Sequence, residues 1–306
     1  MSWEVVARKD VRDALRSRVL LGLSVFFVVL LGGSSAAFGY VVGGDVSSKA
    51  LFGLFGRGRI FQFSYTGFLG FLLGFIAIVA SYAAVVGERE SGTLKLLLSL
   101  PHSRRDVVLG KLLGRSVVVT VPAAAGFLVA IVALLATGVS VDWATVVPQA
   151  LLTVLLGVAF VAIAVGISAG TDTTRQTILS TLGLYFAFVL LWSSLATAVA
   201  SLLSELAKRL PGVSALDAAT QVKISLFVKY LNPLRAYETL VASLYFDSTL
   251  QARLVQAGFR ERIVAAQTMK GSVPAYLSDP VVLLVLLGWV VIPPVLGYLA
   301  FEAADL

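Results

Sequence analysis

The sequence predicts an all-α integral membrane protein with six transmembrane helices. Hydrophobic residues make up 58% of the 306 residues and charged residues 13%, whereas soluble domains carry about 25% charged residues. The apolar residues are grouped into long stretches, each close to the roughly 20 residues that a helix needs to cross about 30 Å of hydrocarbon. A β-barrel would show short segments of alternating polarity instead.

The predicted spans are apolar stretches that contain no Asp, Glu, Lys, Arg or His. They cover residues 19–43, 67–87, 116–138, 146–169, 178–203 and 281–301. The first stretch is too long for the apolar core of a cleaved signal peptide, which has about 7–15 residues, and it follows a charged segment. We therefore expect residues 1–306 to form a single transmembrane domain.

Residues 1–18 predict an amphipathic helix ahead of the first span. Apolar residues recur at helical spacing on one face, and basic residues occupy the other. A basic amphipathic helix beside a span usually lies in the headgroup plane. Two interpretations stay open, a topology anchor and an elbow helix that also contacts a cytoplasmic partner. The residues assigned to its membrane-surface role are Trp3, Arg8, Lys9, Arg12 and Arg16.

The distribution of Lys and Arg predicts that both termini lie in the cytoplasm. Twelve of these residues fall in segments that this topology places inside, against three in the two short outer loops, and positive residues accumulate on the cytoplasmic side. The inner segments are 1–18, 88–115, 170–177 and 302–306. We expect a multi-pass protein of the plasma membrane.

Residues 204–280 form the longest connection between two spans and lie outside in this topology. Apolar residues recur at helical spacing in two stretches, from Leu216 to Leu231 and from Tyr237 to Tyr245, and Asn232-Pro233 separates them. The segment therefore predicts at least two helices. We expect them to lie on the outer surface or to dip into the membrane interface.

Residues 88–108, between the second and third spans, form the most distinctive segment of the chain. Leu94, Leu97 and Leu98 make the apolar face of a short helix, and Pro101 ends that helix. Ser103, followed three residues later by Asp106, predicts a capping box that begins the next helix. The pattern indicates a short helix across the membrane face. On physical grounds alone, an ordinary cytoplasmic hairpin explains it equally well.

This segment resembles the cytoplasmic coupling loop of ATP-binding-cassette exporter permeases. That loop reads as a Glu-rich turn, Gly-Thr, a Leu pair, Pro, then Arg and Gly-Lys. The matching residues are Glu88, Glu90, Gly92-Thr93, Leu97, Pro101, Arg105 and Gly110-Lys111. The layout also matches, with an elbow helix, six spans and an enlarged outer region before the last one. In detail the chain is similar to permeases that assist the maturation of nitrous-oxide reductase.

The resemblance implies a non-catalytic permease subunit that is driven by a separate cytoplasmic ATPase. It also implies that the permease forms a dimer, and we expect a homodimer. It assigns contact with that ATPase to the coupling segment, where the glutamates face basic residues of the ATPase or cap the short helix. The leucines fill a groove, and the arginines pair with acidic groups of the ATPase or with lipid phosphates. The residues concerned are Glu88, Glu90, Gly92, Thr93, Leu94, Leu97, Leu98, Pro101, Arg104 and Arg105.

Residue counts exclude several kinds of site. The chain has no Cys and a single His, His102, so a metal site built on paired imidazoles or thiolates is excluded. A phosphate loop needs Gly-Lys followed by Ser or Thr, whereas Gly110-Lys111 precedes Leu112. We therefore expect no cofactor in this chain, with ATP and Mg bound to the partner subunit, and no role in nucleic-acid binding.

Three functions stay open at this level. The first is the membrane subunit of an ATP-driven exporter, and the second is an ATPase-coupled mechanical or assembly complex without solute flux. The third, an ion-coupled secondary transporter, is disfavoured because the spans lack ionisable residues, although backbone carbonyls can bind sodium. Hydroxyl and aromatic side chains suggest a pathway for an amphipathic or lipid-like substrate, lined by Tyr185, Phe188, Trp192 and Ser193.

Overall fold

The computed structural model shows a bundle of α-helices and no β-sheet in the residues that it describes, which are 3–16, 18–42, 47–52, 65–94, 103–209, 214–269 and 273–304. This confirms the predicted fold class. The helices are α1 (Trp3–Leu15), α2 (Arg18–Val42), α3 (Lys49–Phe52), α4 (Tyr65–Ser81), α5 (Val86–Glu90), α6 (Arg104–Ala136), α7 (Trp143–Gly170), α8 (Thr174–Phe186), α9 (Trp192–Lys208), α10 (Ala218–Tyr230), α11 (Pro233–Tyr245), α12 (Thr249–Leu254), α13 (Phe259–Thr268) and α14 (Asp279–Ala303). A π-helical segment, Ala187–Leu191, joins α8 to α9.

Within the described ranges, six helical stretches are long and apolar enough to cross a membrane, and they confirm the six predicted spans. They are Ser24–Val42, Tyr65–Glu90, Arg104–Ala136, Trp143–Gly170, Thr174–Lys208 and Asp279–Ala303. The third begins well before its predicted start at residue 116 because the capping box forms. The Ser103 hydroxyl accepts from the Asp106 N–H at 3.1 Å, and the Asp106 carboxylate accepts from the Ser103 N–H at 3.1 Å.

Polar contacts define the two ends of the bundle. At one end, Arg89 is ion-paired with Asp172 at 2.7 Å, and at the other Lys49 is ion-paired with Asp142 at 2.9 Å. The hydrogen bond from Lys49 holds the pKa of Asp142 below its ordinary value. We call the first end the coupling end, and it is formed by residues 86–94, 103–106, 171–174 and 301–304. Helix α1 packs on the first half of α6, so it lies at the coupling end as well.

Helix α7 lies at the centre and packs against α4, α6, α11 and α14. Its closest approach is to α14. A Cβ atom at Gly166 would lie 2.3 Å from the Pro293 carbonyl oxygen, and one at Gly297 would lie 2.2 Å from the Gly166 carbonyl oxygen. Small residues allow membrane helices to approach this closely, so any side chain at either position would force the two backbones apart.

Helices α10 and α11 form a hairpin whose tip reaches the level of the middle of the spans. At the tip, the Asn232 side-chain amide donates to the Phe188 carbonyl at 2.8 Å, and the Trp289 indole donates to the Leu231 carbonyl at 2.8 Å. Phe188 and Trp289 each lie at least ten residues from either end of their spans, a distance of about 15 Å along a helix. Helix α10 ends at Tyr230 and α11 begins at Pro233, which confirms the predicted break at Asn232-Pro233.

The expected position of these helices on the outer surface is wrong for α11. Leu234, Tyr237 and Val241 are fully buried, and the Tyr237 hydroxyl shares a 2.9 Å hydrogen bond with Thr153 of α7. The physical reason is that α11 packs on α4 and α7 as well as on α14, so three spans together cover its apolar face.

Substituting Gly166 with Ala tests the close packing of α7 on α14. We expect the free energy of unfolding to fall by about 1–3 kcal/mol, the range for overpacked cores, because the added methyl meets backbone atoms that cannot rotate away. The matched control is Gly183→Ala, where an added Cβ has nothing within 4 Å. Thermal unfolding in one detergent should separate the two variants, and equal midpoints would contradict this packing.

Candidate functional site

Residues 86–94 include the last turn of the second span and the turn after it, and α7 fixes the point where they begin. The helix is interrupted at residues 82–85. There the Ser168 hydroxyl accepts hydrogen bonds from the N–H groups of Val85 and Val86, each at 3.1 Å. Buried N–H groups without a partner are costly. Ser168 supplies that partner, so the start of α5 is joined directly to the central helix.

A buried ion network joins α5 to α1 and α6. The Lys111 ammonium lies 2.9 Å from Asp10 Oδ1 and 2.9 Å from Glu88 Oε1. Lys9 is also paired with Glu88 at 3.2 Å, and Arg115 Nε lies 2.8 Å from Asp10 Oδ2. The side chains of Asp10 and Lys111 are only 1% and 5% exposed. Charges buried this deeply are stable only when paired, so the network fixes the positions of the three helices.

Two glycines on α6 allow α1 to approach closely enough for the network to form. A Cβ atom at Gly110 would lie 2.6 Å from Cβ of Val6, and one at Gly114 would lie 2.9 Å from Cβ of Asp10. Both distances are too short for real side chains. Glycine at these two positions therefore brings the Asp10 carboxylate within reach of Lys111.

The last two residues of α5 bind the connection between α7 and α8. Arg89 donates to the Thr171 carbonyl at 2.8 Å and to the Asp172 carboxylate at 2.7 Å. The Glu90 carboxylate accepts from the Thr174 N–H at 2.7 Å and from its hydroxyl at 2.6 Å. Glu90 thus caps the N-terminus of α8, where a negative charge is favourable for the helix dipole.

Arg104, the first residue of α6, holds the end of the last helix. Its guanidinium donates to the backbone carbonyl of Phe301, and to those of Glu302 at 3.0 Å and Ala304 at 2.8 Å. The guanidinium carbons of Arg104 and Arg89 lie 5.2 Å and 5.4 Å from the centre of the Phe301 ring, within cation–π range. The final helical carbonyls lack partners in their own helix, and Arg104 provides them.

Several predicted partner contacts face into the chain. Glu88 is directed towards Lys111 instead of the surface, and Leu94 is 1% exposed. Arg104 is committed to the end of α14. The predicted leucines and proline that lie outside the described residues are Leu97, Leu98 and Pro101.

The remaining predicted contacts form the accessible surface of the coupling end. Gly92, Thr93 and Arg105 are exposed, and Glu90 is exposed although it binds Thr174. Gly92 adopts φ of 74°, a left-handed conformation in which glycine is favoured, so the chain turns sharply after α5. This turn presents Thr93 to the exterior of the bundle.

The residues predicted for the surface of α1 are all exposed, while the opposite face packs on α6. The exposed set is Trp3, Arg8, Lys9, Arg12 and Arg16. Val6 and Asp10 are 3% and 1% exposed on the packed face. The amphipathic helix predicted from residues 1–18 is therefore present as Trp3–Leu15.

The residues predicted for a substrate pathway separate into two groups. Tyr185 and Phe188 are each 1% exposed and pack among aromatic rings inside the bundle. The Trp192 indole donates to the Val228 carbonyl at 2.8 Å, which ties the fifth span to α10. Ser193 instead lines an open cleft at the opposite end.

Asp10 is the most deeply buried charged residue that sequence reasoning missed near the coupling end. It lies three and four residues after Ala7 and Val6, which places it on the buried face of α1. Lys111 and Arg115 stand one turn apart on α6 and supply the opposite charge. A carboxylate in register with an apolar stripe, together with two cations at helical spacing, was the available signal.

Comparison with known proteins identifies related sequences. The family model described as ABC-2 family transporter protein matches residues 4–306. Two relatives described as probable ABC transporter permease protein NosY come from Pseudomonas aeruginosa and Stutzerimonas stutzeri. They are 35% identical over 192 residues and 33% identical over 195 residues. These matches cover 61% and 62% of the chain. They cover 66% and 67% of the two relatives, so the chain spans just under two thirds of the length of the first.

Replacing Lys111 with Met tests the buried network. We expect the free energy of unfolding to fall by about 3–5 kcal/mol, because Asp10 and Glu88 then lose the cation between them. The matched control is Lys208→Met, whose partner Glu205 is 63% exposed and for which about 0–1 kcal/mol is expected. Denaturant unfolding of the purified variants measures both losses. A loss for Lys111→Met as small as that expected for the control would show that the network does not stabilise the chain.

Proposed function

Because the chain belongs to the ABC-2 family of transporter proteins, we propose that it is the membrane subunit of an ATP-driven transporter. A separate cytoplasmic ATPase binds ATP and Mg and acts on the coupling end. A second copy of the chain completes the membrane part of the complex, as the resemblance of the coupling segment implies. The permease itself carries out no chemistry, and export is the direction that this resemblance favours.

The observation that carries this proposal is the convergence of contacts on α5. Within five residues, Val86 to Glu90, this helix is bonded to α7 and to the start of α8, and its side chains are paired with α1 and α6. Arg89 also contacts the ring of Phe301 at the end of α14. A force applied to this short helix would therefore be delivered to several spans together.

The accessible surface next to α5 supports contact with a partner. Thr93 is exposed immediately after the turn at Gly92, and Arg105 is exposed at the start of α6. Both belong to the segment that resembles a coupling loop. We infer that the partner contacts this outer surface, whereas Glu88 and Leu94 hold the segment in place from the inside.

The charge distribution supports a cytoplasmic location for the coupling end in the plasma membrane. The exposed face of α1 carries Arg8, Lys9 and Arg12, and Arg16 follows its last residue. Arg105 and Arg175 are exposed nearby. Such residues accumulate on the cytoplasmic side of membrane proteins. ATP is then available on the side where the partner must bind.

A mechanical complex that consumes ATP without moving a solute is the second candidate. It would use the same contacts at α5, and solute flux distinguishes it from a transporter. Stimulation of the ATPase with no flux of any tested solute would favour the mechanical function. The ion-coupled carrier would instead operate in the absence of an ATPase.

The absence of cysteine in the chain allows a single-site test. In the complex reconstituted with its ATPase, Thr93→Cys modified with a large polyethylene glycol maleimide should reduce the ATPase rate to that of the ATPase alone, because the adduct blocks the docking surface. The matched control is Ser140→Cys, which is exposed at the opposite end and should retain full stimulation. The proposal is overturned if the Thr93 adduct leaves stimulation intact.

A further inference from the structure

A cleft of about 1230 Å³ opens at the opposite end of the bundle, between α9 and the segment from α10 to α13. Its first wall is a face of α9 that carries the side chains of Ser193, Ser194, Thr197 and Ser201. The Thr197 and Ser201 hydroxyls donate to carbonyls of their own helix, which leaves oxygen lone pairs free to accept from a ligand. Polar faces on membrane spans usually line the bundle interior or a water-filled cavity.

The floor of the cleft is built from charged residues that the hairpin brings to the level of the middle of the spans. Lys229 is ion-paired with Glu261 at 2.6 Å, and Arg235 is ion-paired with Glu238 at 2.9 Å. The side chains of Lys229 and Glu238 are 4% and 3% exposed. Ionisable groups at membrane depth are costly and usually mark a functional site.

Both carboxylates in the cleft are already neutralised by these pairs. Burial of Glu261 alone would raise its pKa, but hydrogen bonds from Lys229 and Ser225, each at 2.6 Å, outweigh burial and hold the pKa below its ordinary value. Glu261 is therefore ionised near neutral pH and balances Lys229. Glu238 accepts from Arg235 and from the Gln256 amide.

Two further arginines give the cleft an excess of positive charge. Arg262 donates only to backbone carbonyls, those of Ala257 at 3.0 Å and Val255 at 3.2 Å, and Arg260 is exposed. In the part of the chain that the structure describes, neither has an acidic partner within 4.0 Å. The lining of the cleft therefore contains four cationic side chains and two carboxylates.

Apolar side chains complete the lining near these arginines. Phe246, Leu254 and Val255 contribute to the wall, and Phe259 is 81% exposed beside Arg260. An exposed aromatic ring next to an unpaired guanidinium is suited to a ligand with both apolar and anionic parts. The hydroxyls of α9 would contact the polar groups that such a ligand carries along its length.

We propose that this cleft binds an anionic amphiphile of about phospholipid size. The acid group pairs with Arg260 and Arg262, and the body lies between Phe259 and the hydroxyl face of α9. The volume exceeds the roughly 300–1,000 Å³ of pockets for drug-sized ligands, which favours a lipid-sized molecule. The identification of this ligand as the transported substrate rests on the proposed function, whereas binding itself needs neither ATP nor the ATPase.

Native mass spectrometry of the purified full chain, without any ATPase, tests the site with short-chain phosphatidylglycerol as the probe. We expect the double variant Arg260→Gln/Arg262→Gln to bind it at least tenfold more weakly than the unaltered chain. The matched control Arg18→Gln/Arg175→Gln removes two exposed charges that do not line the cleft and should bind normally. Thr197→Phe keeps both arginines and should also weaken binding, because its ring fills the cleft from α9.

Two further probes separate the parts of the ligand. Short-chain phosphatidylcholine has the same acyl chains but no net charge, and inorganic phosphate is charged but has no acyl chains. Both should therefore bind at least tenfold more weakly than phosphatidylglycerol. Equal binding of phosphatidylglycerol by the cleft variant, the control variant and the unaltered chain would overturn the site. Phosphate binding as tight as that of phosphatidylglycerol would overturn the ligand class. If the unaltered chain binds phosphatidylglycerol but does not stimulate the ATPase in the reconstituted complex, the proposed function alone is contradicted.

Discussion

The arrangement of the coupling end depends on the Lys111 ammonium, which lies between the carboxylates of Asp10 and Glu88. Removing such ions from water costs several kcal/mol for each ion unless close partners compensate. The three charges are therefore stable only when α1, α5 and α6 stay together. Helix α5 also caps α8 through Glu90 and contacts the end of α14 through Arg89. A displacement of α5 alone would break these contacts, whereas a displacement that moves the neighbouring helices with it would preserve them.

The fifth span connects the coupling end with the cleft. It begins at Thr174, which is bound by Glu90, and its second half, α9, carries the hydroxyl face of the cleft. Between the two lies the π-helical segment Ala187–Leu191, a type of irregularity that is frequent at functional sites. Its Phe188 carbonyl accepts from Asn232 at the tip of the hairpin. A continuous path of covalent and hydrogen-bonded contacts therefore runs from α5 to the site where we infer that a ligand binds.

Local sequence features predicted most of the helical framework, while contacts between distant segments could not be predicted. The six spans, the capping box at Ser103 and the break at Asn232 follow from composition and short-range spacing, which act within one helix. The pairing of Asp10 with Lys111 joins residues 101 positions apart. The insertion of α11 among the spans depends on which neighbours cover each of its faces. An apolar stripe shows that a face is buried and does not identify its neighbour, so the sequence could not show that spans α4, α7 and α14 cover α11.

The most direct test of whether a cytoplasmic ATPase can act on α5 is the side of the membrane from which residue 93 is accessible. A membrane-impermeant maleimide applied to right-side-out and inverted vesicles measures this in Thr93→Cys, since the chain has no other thiol. We expect labelling in inverted vesicles alone, and the reverse pattern for Ser140→Cys at the opposite end. Labelling of residue 93 in right-side-out vesicles would place the coupling end outside the cell, where no ATPase powered by cytoplasmic ATP can reach it.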